Sequence, residues 1–167
     1  NNIGPASAEV IRVRSDGRWD LVVGEPRMTR NGLKTPISGM GPGFDSPFAG
    51  YIWRICEHDG HLYVGTFDSS SFLPFSKIEE RFGSTMDEAS MERFMALRGG
   101  AKLWRSRDGE VWVPVTMNGF GNFYNFGIRT LQSTPRGLFV GTANPFGPEV
   151  AVRYPSGFRY EDNPNGG

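Results

Sequence analysis

The sequence has little of what metal, redox and membrane sites usually require. Its 167 residues include a single cysteine, Cys56, so no disulfide can form within the chain and the cellular compartment stays open. Its two histidines, His58 and His61, have no cysteine pair to complete a structural zinc site. The sequence contains no run of about 18 apolar residues, so we expect no transmembrane helix.

The chain has no excess of positive or negative charge. Lysine plus arginine and aspartate plus glutamate number 18 each, so neither nucleic acid nor an anionic membrane surface is an expected partner. Apolar residues make up 38% and aromatic residues 13% of the chain, which is enough to form a core. The 23 glycines and 12 prolines are typical of many short strands joined by turns.

A repeat organises the rest of the sequence. Residues 43–68 align without gaps with residues 119–144, at a spacing of 76 residues, and share a Leu-(Tyr/Phe)-Val-Gly-Thr strand. A second unit occupies residues 9–22, returns with one added residue in 101–115, and is found in decayed form in 149–160. Each unit has β-forming residues around a turn signal, which predicts a hairpin. Two such hairpins make a four-stranded meander of the size of a propeller blade.

The second unit resembles the Asp-box, the Ser-x-Asp-x-Gly-x-x-Trp turn of sialidase-like propellers. Ser106 to Trp112 reads SRDGEVW, one residue shorter than that turn between the serine and Asp-Gly, and Ser15 to Trp19 is shorter still. Over most of residues 8–160, apart from two insertions, the chain is similar to uncharacterised bacterial β-propeller proteins with repeated Leu-Tyr-Val-Gly-Thr strands. The resemblance implies a fold and no activity, because such proteins share none.

We therefore predict an all-β chain: a partial β-propeller of four-stranded antiparallel blades with one inserted helical segment. Residues 8–23 would form the outer hairpin of one blade, 43–116 a complete blade and 119–160 a second, incomplete blade. A closed propeller typically needs four or more blades, so we expect another chain or further blades to complete it. The strands expected in the complete blade, from channel to rim, are Phe48–Cys56, Leu62–Thr66, Lys102–Arg105 and Val111–Val115.

Two insertions fall at one end of the predicted blades. Residues 24–42 precede an innermost strand and residues 68–99 separate the second strand from the third, and in a meander both connections lie at the same end. Long loops in a compact domain usually carry function. Within the second insertion Asp87 is expected to cap a helix that runs to about Leu97 and ends at Gly99-Gly100. That helix either packs over the blade rim or serves as a lid or docking element.

Side chains at this long-loop end are candidates for ligand contact. Asp68 and Asn144 occupy matching positions after the second strand, where their oxygens suit a ligand hydroxyl or calcium, or simply bond a turn. Trp53 and Arg129 match each other on the innermost strands. There an arginine could bind a carboxylate or phosphate and an aromatic ring could stack on a sugar, with packing between blades as the alternative. The whole candidate set is Asp45, Tyr51, Trp53, Asp68, Asn125, Arg129 and Asn144.

The sequence assigns no catalytic residue and no metal ligand. Carboxylates are present at the long-loop end, but no pair among them can be chosen for acid–base work. We expect a binding module for a carbohydrate, a small polar ligand or a protein partner. A hydrolase or lyase with its site at the channel mouth is one alternative, and a structural piece of a multi-chain assembly is another. No cofactor is predicted, calcium is left open, and secretion is compatible with the sequence.

Overall fold

The computed structural model describes residues 7–75, 87–144, 147 and 149–163. The protein is mostly β, with 45% strand and 17% helix, and every strand pairing is antiparallel. The strands described are β1 (Val10–Val13), β2 (Trp19–Val23), β3 (Arg27–Thr29), β4 (Gly32–Lys34), β5 (Tyr51–His58), β6 (His61–Phe67), β7 (Leu103–Ser106), β8 (Val113–Thr116), β9 (Gly127–Thr134), β10 (Gly137–Ala143), β11 (Glu149–Tyr154) and β12 (Gly157–Asp162). Helix α1 spans Glu88–Arg98, and short 3₁₀ segments span Ser69–Phe75 and Gly119–Gly121.

One curled, half-barrel sheet contains the six strands β5 to β10. Strands β5, β6, β7 and β8 pair in chain order as an antiparallel meander, and hairpin β9–β10 joins it where Phe67 of β6 pairs with Gly127 of β9. The hairpins β1–β2, β3–β4 and β11–β12 form separate two-stranded sheets. The predominantly β architecture is confirmed. The four strands expected in residues 43–116 are present within a few residues of their predicted ends.

The turn between β5 and β6 follows from its sequence. Asp59 and Gly60 have φ angles of +46° and +66°, and His58 pairs with His61 across them. Two left-handed residues between paired strands form the type I′ turn that matches the twist of a hairpin, and Asp-Gly is a preferred pair for it. The register of the central hairpin is therefore fixed locally.

Two hydrophobic cores lie on opposite faces of the meander. In the first core, Val10, Val22 and Val23 of hairpin β1–β2 are grouped with Val64 of β6 and Trp104 of β7. The second core contains Leu103 of β7 with Ile128 and Leu131 of β9. Successive residues of a strand point to opposite faces, so Trp104 and its neighbour Leu103 belong to different cores. The meander is thus covered on one face by β1–β2 and on the other by β9.

The second core depends on a close approach at Gly65. A Cβ atom at this position would lie 2.5 Å from the Cβ of Ile128, far closer than two such atoms approach. Glycine leaves the space into which Ile128 packs, which explains a glycine in the middle of a buried strand.

The two insertions differ in how well the sequence anticipated them. Residues 24–42 contain hairpin β3–β4, where only a long loop was expected, and Lys34 Nζ fixes it by donating to the Trp19 carbonyl at 2.8 Å. Helix α1 is confirmed in the second insertion, with Asp87 Oδ1 accepting from Ser90 N at 2.8 Å as its N-cap. Leu97, near the end of this helix, is 58% exposed.

Contacts at the second insertion place the helix against the chain that precedes β5. Phe94 of α1 meets Phe48 edge to face, with ring centroids 5.8 Å apart, and Met95 is buried. The predicted proximity of the two insertions to each other stays a prediction. In the described ranges no helix is long and apolar enough to cross a membrane.

The last hairpin is arranged differently from the central one. Strands β11 and β12 pair with each other over residues 149–162 as a sheet of their own. Among the described strands, β10 pairs only with β9, so the expected continuation from the second strand to the third is not made in this last unit.

Candidate functional site

The matched residues Trp53 and Arg129 are both bulge residues. In β5 the pairing with β6 steps from Ile52 to Arg54 and passes over Trp53. In β9 the pairing with β10 steps from Ile128 to Thr130 and passes over Arg129. A bulge inserts an unpaired residue and redirects its side chain, and bulges are frequent beside functional sites. Two equivalent hairpins therefore each present one redirected side chain.

The Trp53 ring lies across the gap between the two hairpins. Its centroid is 5.3 Å from that of Phe67 and 5.5 Å from that of Phe126. A Cβ on Gly127 would lie 2.0 Å from an atom of the ring, so the indole rests directly on the backbone of β9. Packing between hairpins, the alternative considered for Trp53, is thus part of its role, although the residue remains half-buried.

An arginine lies over this ring. The Cζ atom of Arg129 is 5.9 Å from the Trp53 ring centroid, within the range of a cation–π contact. Arg129 is exposed, and its carbonyl accepts a hydrogen bond from Nε of the exposed Arg54 at 2.9 Å. On the other side, Tyr51 is 62% exposed and its ring meets Phe67 at 5.4 Å. We refer to Tyr51, Trp53, Arg54 and Arg129 as the arginine–aromatic patch.

The patch carries two positive charges. No ion pair between Arg54 or Arg129 and a carboxylate is found within the part of the chain that the structure describes. Planar guanidinium groups bind carboxylates and phosphates through paired hydrogen bonds, and exposed aromatic rings provide a flat apolar surface. The patch can therefore hold a flat or ring-shaped anion.

Asp68, by contrast, lies at the centre of a buried hydrogen-bond network. Its side chain is fully buried, and Oδ2 accepts from Lys102 Nζ at 2.5 Å. Further donors are the backbone and the hydroxyl of Ser70 and, at 3.2 Å, the hydroxyl of Ser46. A ligand would have to displace these donors to reach the carboxylate.

Lys102 completes this network from the other end of the second insertion. Its ammonium also donates to the carbonyls of Arg98 at 2.7 Å and Gly100 at 2.8 Å. Burial lowers the pKa of Lys102, because the charged form loses water, while the neighbouring Asp68 carboxylate opposes that shift. Asp68 begins the second insertion and Lys102 follows its end, so the ion pair joins the two ends of the insertion.

The remaining candidates lie in turns and loops. Asn125 donates from Nδ2 to the Gly119 carbonyl at 2.9 Å and accepts from Thr142 Oγ1 at 3.1 Å. Asn144 is partly buried just after β10. Asp45 is exposed and accepts from the Gly41 amide at 2.7 Å. The structure thus brings Tyr51, Trp53 and Arg129 together, and it places Asp68 in a separate buried network.

Two residues that matter here were not among the candidates. Arg54 directly follows Trp53, and its contact with the Arg129 carbonyl depends on a strand pairing that the sequence does not specify. Lys102 offered a signal, because a lysine in an apolar strand demands a buried acidic partner. In the described ranges, no group of three or more His, Cys, Asp and Glu side chains could hold a metal ion, and calcium stays untested.

Comparison with known proteins adds no assignment to this geometry. No protein-family model matches the chain, and no curated protein or solved structure matches it either.

Proposed function

We propose that the chain is a portion of a β-propeller that binds an acidic carbohydrate, or a small anion of similar shape, at the arginine–aromatic patch. The propeller part of this proposal is supported by the stacking of the chain's units. The meander β5–β8 has the strand order of a blade, and apolar cores cover both of its faces. Face-to-face stacking of four-stranded meanders is the architecture of a propeller.

The repeat gives further support. The identical pairs Gly43-Phe44 and Gly119-Phe120 share a left-handed backbone, with φ near +66° and +57° in the first copy and +64° and +62° in the second. Left-handed φ values are uncommon in residues other than glycine, so the recurrence at Phe44 and Phe120 points to equivalent local structure.

One observation carries the binding proposal: matched bulges bring Trp53 and Arg129 into contact at the surface, with Arg54 and Tyr51 alongside. The contact with the Trp53 ring favours one position of the Arg129 guanidinium before a ligand arrives, which reduces the ordering cost of binding. A sugar carboxylate would accept hydrogen bonds from the guanidinium groups, while the apolar face of its ring would lie on Tyr51.

Titration calorimetry with two trisaccharides tests the proposal. Trigalacturonate, which is acidic, should bind, and the neutral maltotriose should bind at least about tenfold more weakly, because a hydrogen bond to a charged group contributes about 1.5–3 kcal/mol. Arg129→Ala and Tyr51→Ala should each weaken trigalacturonate binding, whereas Arg136→Ala, an exposed arginine in the β9–β10 turn, should not. Titrations with calcium and with EDTA show whether the ion takes part.

Equal binding of the two sugars, or equal losses in Arg129→Ala and Arg136→Ala, would remove the assignment of this patch. Absence of any binding would remove acidic sugars as the ligand class.

A further inference from the structure

Strands β10 and β1 each combine an edge without a strand partner among the described residues with an exposed apolar side chain. Strand β10 is one end of the six-stranded sheet, and β1 pairs only with β2. Phe139 of β10 is 59% exposed, and Ile11 of β1 is 47% exposed. Open edges beside exposed apolar side chains favour association through strand pairing.

The central meander indicates which strand each of these two edges would pair with. The repeat places β10 in the position of β6, since Tyr63 and Gly65 match Phe139 and Gly141. It places β1 in the position of β7, and both hairpins have a bulge after the first paired residue, Val10 in β1 and Leu103 in β7. Strands β6 and β7 pair with each other, so β10 and β1 carry complementary edges.

The same comparison identifies what covers the exposed face of β10. In the central unit, Tyr63 packs into the core that contains Leu131, the residue that matches Ile55. In the last unit the equivalent Phe139 is exposed, and Ile55 is itself 52% exposed at the start of the stack. Phe139 and Ile55 therefore each present one half of a contact that Tyr63 and Leu131 already make within the chain.

We propose that β10 of one copy of this chain pairs with β1 of a second copy. Hairpin β9–β10 and the second copy's hairpin β1–β2 then form one four-stranded blade shared between two chains. In the register of β6 and β7, Val140 lies opposite Ile11 as Val64 lies opposite Trp104. Phe139 packs on Ile55 of the second copy.

This contact is heterologous, because different surfaces of the two copies meet. An open assembly of any number of copies has one unpaired β1 edge and one unpaired β10 edge. Both edges are paired only when the last copy closes a ring. The chain's own β11–β12 hairpin is the competing occupant of the β10 edge. It pairs only with itself within the described residues, and all described positions of β12 are exposed.

Analytical ultracentrifugation tests the surface. The wild-type chain should sediment as a concentration-dependent oligomer, and Phe139→Glu and Ile55→Glu should each shift it to monomer at the same concentration. Leu33→Glu is the matched control, since Leu33 is 62% exposed on the separate hairpin β3–β4. A monomeric wild-type chain, or an oligomer that Phe139→Glu leaves intact, overturns the proposal.

Cysteine cross-linking tests the register and does not depend on the oligomer surviving dilution. In a Cys56→Ser background, Val140→Cys and Ile11→Cys are made as separate proteins and mixed under oxidation. Disulfide-linked dimers should form in the mixture and at least tenfold less in either protein alone. Equal cross-linking in the separate proteins, or none in the mixture, contradicts this pairing. Neither result depends on sugar binding, so it is distinguishable from failure of the binding proposal.

Discussion

At the scale of single residues, the buried Asp68–Lys102 pair is a site where loss of one side chain should strongly affect stability. Its members lie at the two ends of an insertion of about thirty residues, and Lys102 also binds the carbonyls of Arg98 and Gly100. Removing two charges from water is costly, so such a pair contributes little net energy when intact. Removing one partner is different, because the other charge is left buried and unpaired.

We expect Lys102→Met to destabilise the protein by about 3–5 kcal/mol for this reason. The double variant Lys102→Met with Asp68→Asn should recover a substantial part of that loss, because no unpaired charge remains. Urea unfolding of the wild type, both single variants and the double variant measures the coupling. Additive losses in the double variant would show that the two side chains do not act as a pair.

The Asp108 carboxyl leads to a second prediction for a single residue, on the stability of the protein in acid. It accepts hydrogen bonds from the amides of Glu110 and Val111 and from the Ser106 hydroxyl, which lower its pKa from 3.8 to about 2. A carboxyl whose pKa is lowered by folding stabilises the native state above its unfolded pKa and loses that contribution as pH falls through the folded value.

The stability difference between wild type and Asp108→Asn should therefore be constant above about pH 5 and change between about pH 4 and pH 2, with the wild type losing stability the faster. Urea midpoints over this pH range provide the measurement. Asp45→Asn, an exposed aspartate in another turn, controls for the general loss of negative charge. Parallel pH curves for wild type and Asp108→Asn would show that this carboxyl does not titrate with folding.

At the scale of elements, the sequence identified the hairpins better than the surfaces they form. The Asp59-Gly60 turn and the Asp87 cap were predictable because each depends on backbone chemistry within a few residues. The bulges at Trp53 and Arg129 were not, because a bulge is defined by the register of the partner strand. Hairpin β3–β4 was missed since its strands have three residues each, too few for a periodic pattern.

Gly127 of β9 lies directly under the Trp53 ring of the arginine–aromatic patch, and this contact leads to a prediction at the scale of elements. A Cβ here would lie 2.0 Å from the Trp53 ring, so Gly127→Ala must displace the indole. We expect a loss of about 1–3 kcal/mol in stability, a shift in tryptophan fluorescence and weaker trigalacturonate binding. Gly50→Ala is the control, because its Cβ would meet only Phe67, at an ordinary 3.9 Å. Similar effects in both variants would argue that Trp53 is not held against β9.

At the scale of the whole molecule, the two cores share the strands that separate them. Phe44 is buried in the first core, stacked on Trp104 at 5.0 Å, and Ile128 is buried in the second. Trp104 of the first core and Leu103 of the second are adjacent in β7. Displacement of β7 would therefore disrupt both cores at once. Sequence patterns indicated buried strands but could not assign residues to either core, because that assignment depends on which hairpin lies on which face.

This arrangement predicts that the described cores unfold together. Phe44→Ala should cost about 3–5 kcal/mol and Ile128→Ala about 2–5 kcal/mol, since each removes a buried side chain and leaves a cavity. Each variant is combined with Trp19→Phe and Trp53→Phe, so that tryptophan fluorescence reports only Trp104 and Trp112 of the first core. In both variants this fluorescence should change at the same urea concentration as far-ultraviolet circular dichroism. If Ile128→Ala lowers the circular dichroism midpoint and leaves the fluorescence midpoint unchanged, the two faces of the meander are independent units. That result would also weaken the stacked-blade interpretation, because a blade with a core on each of its faces is expected to lose both cores together.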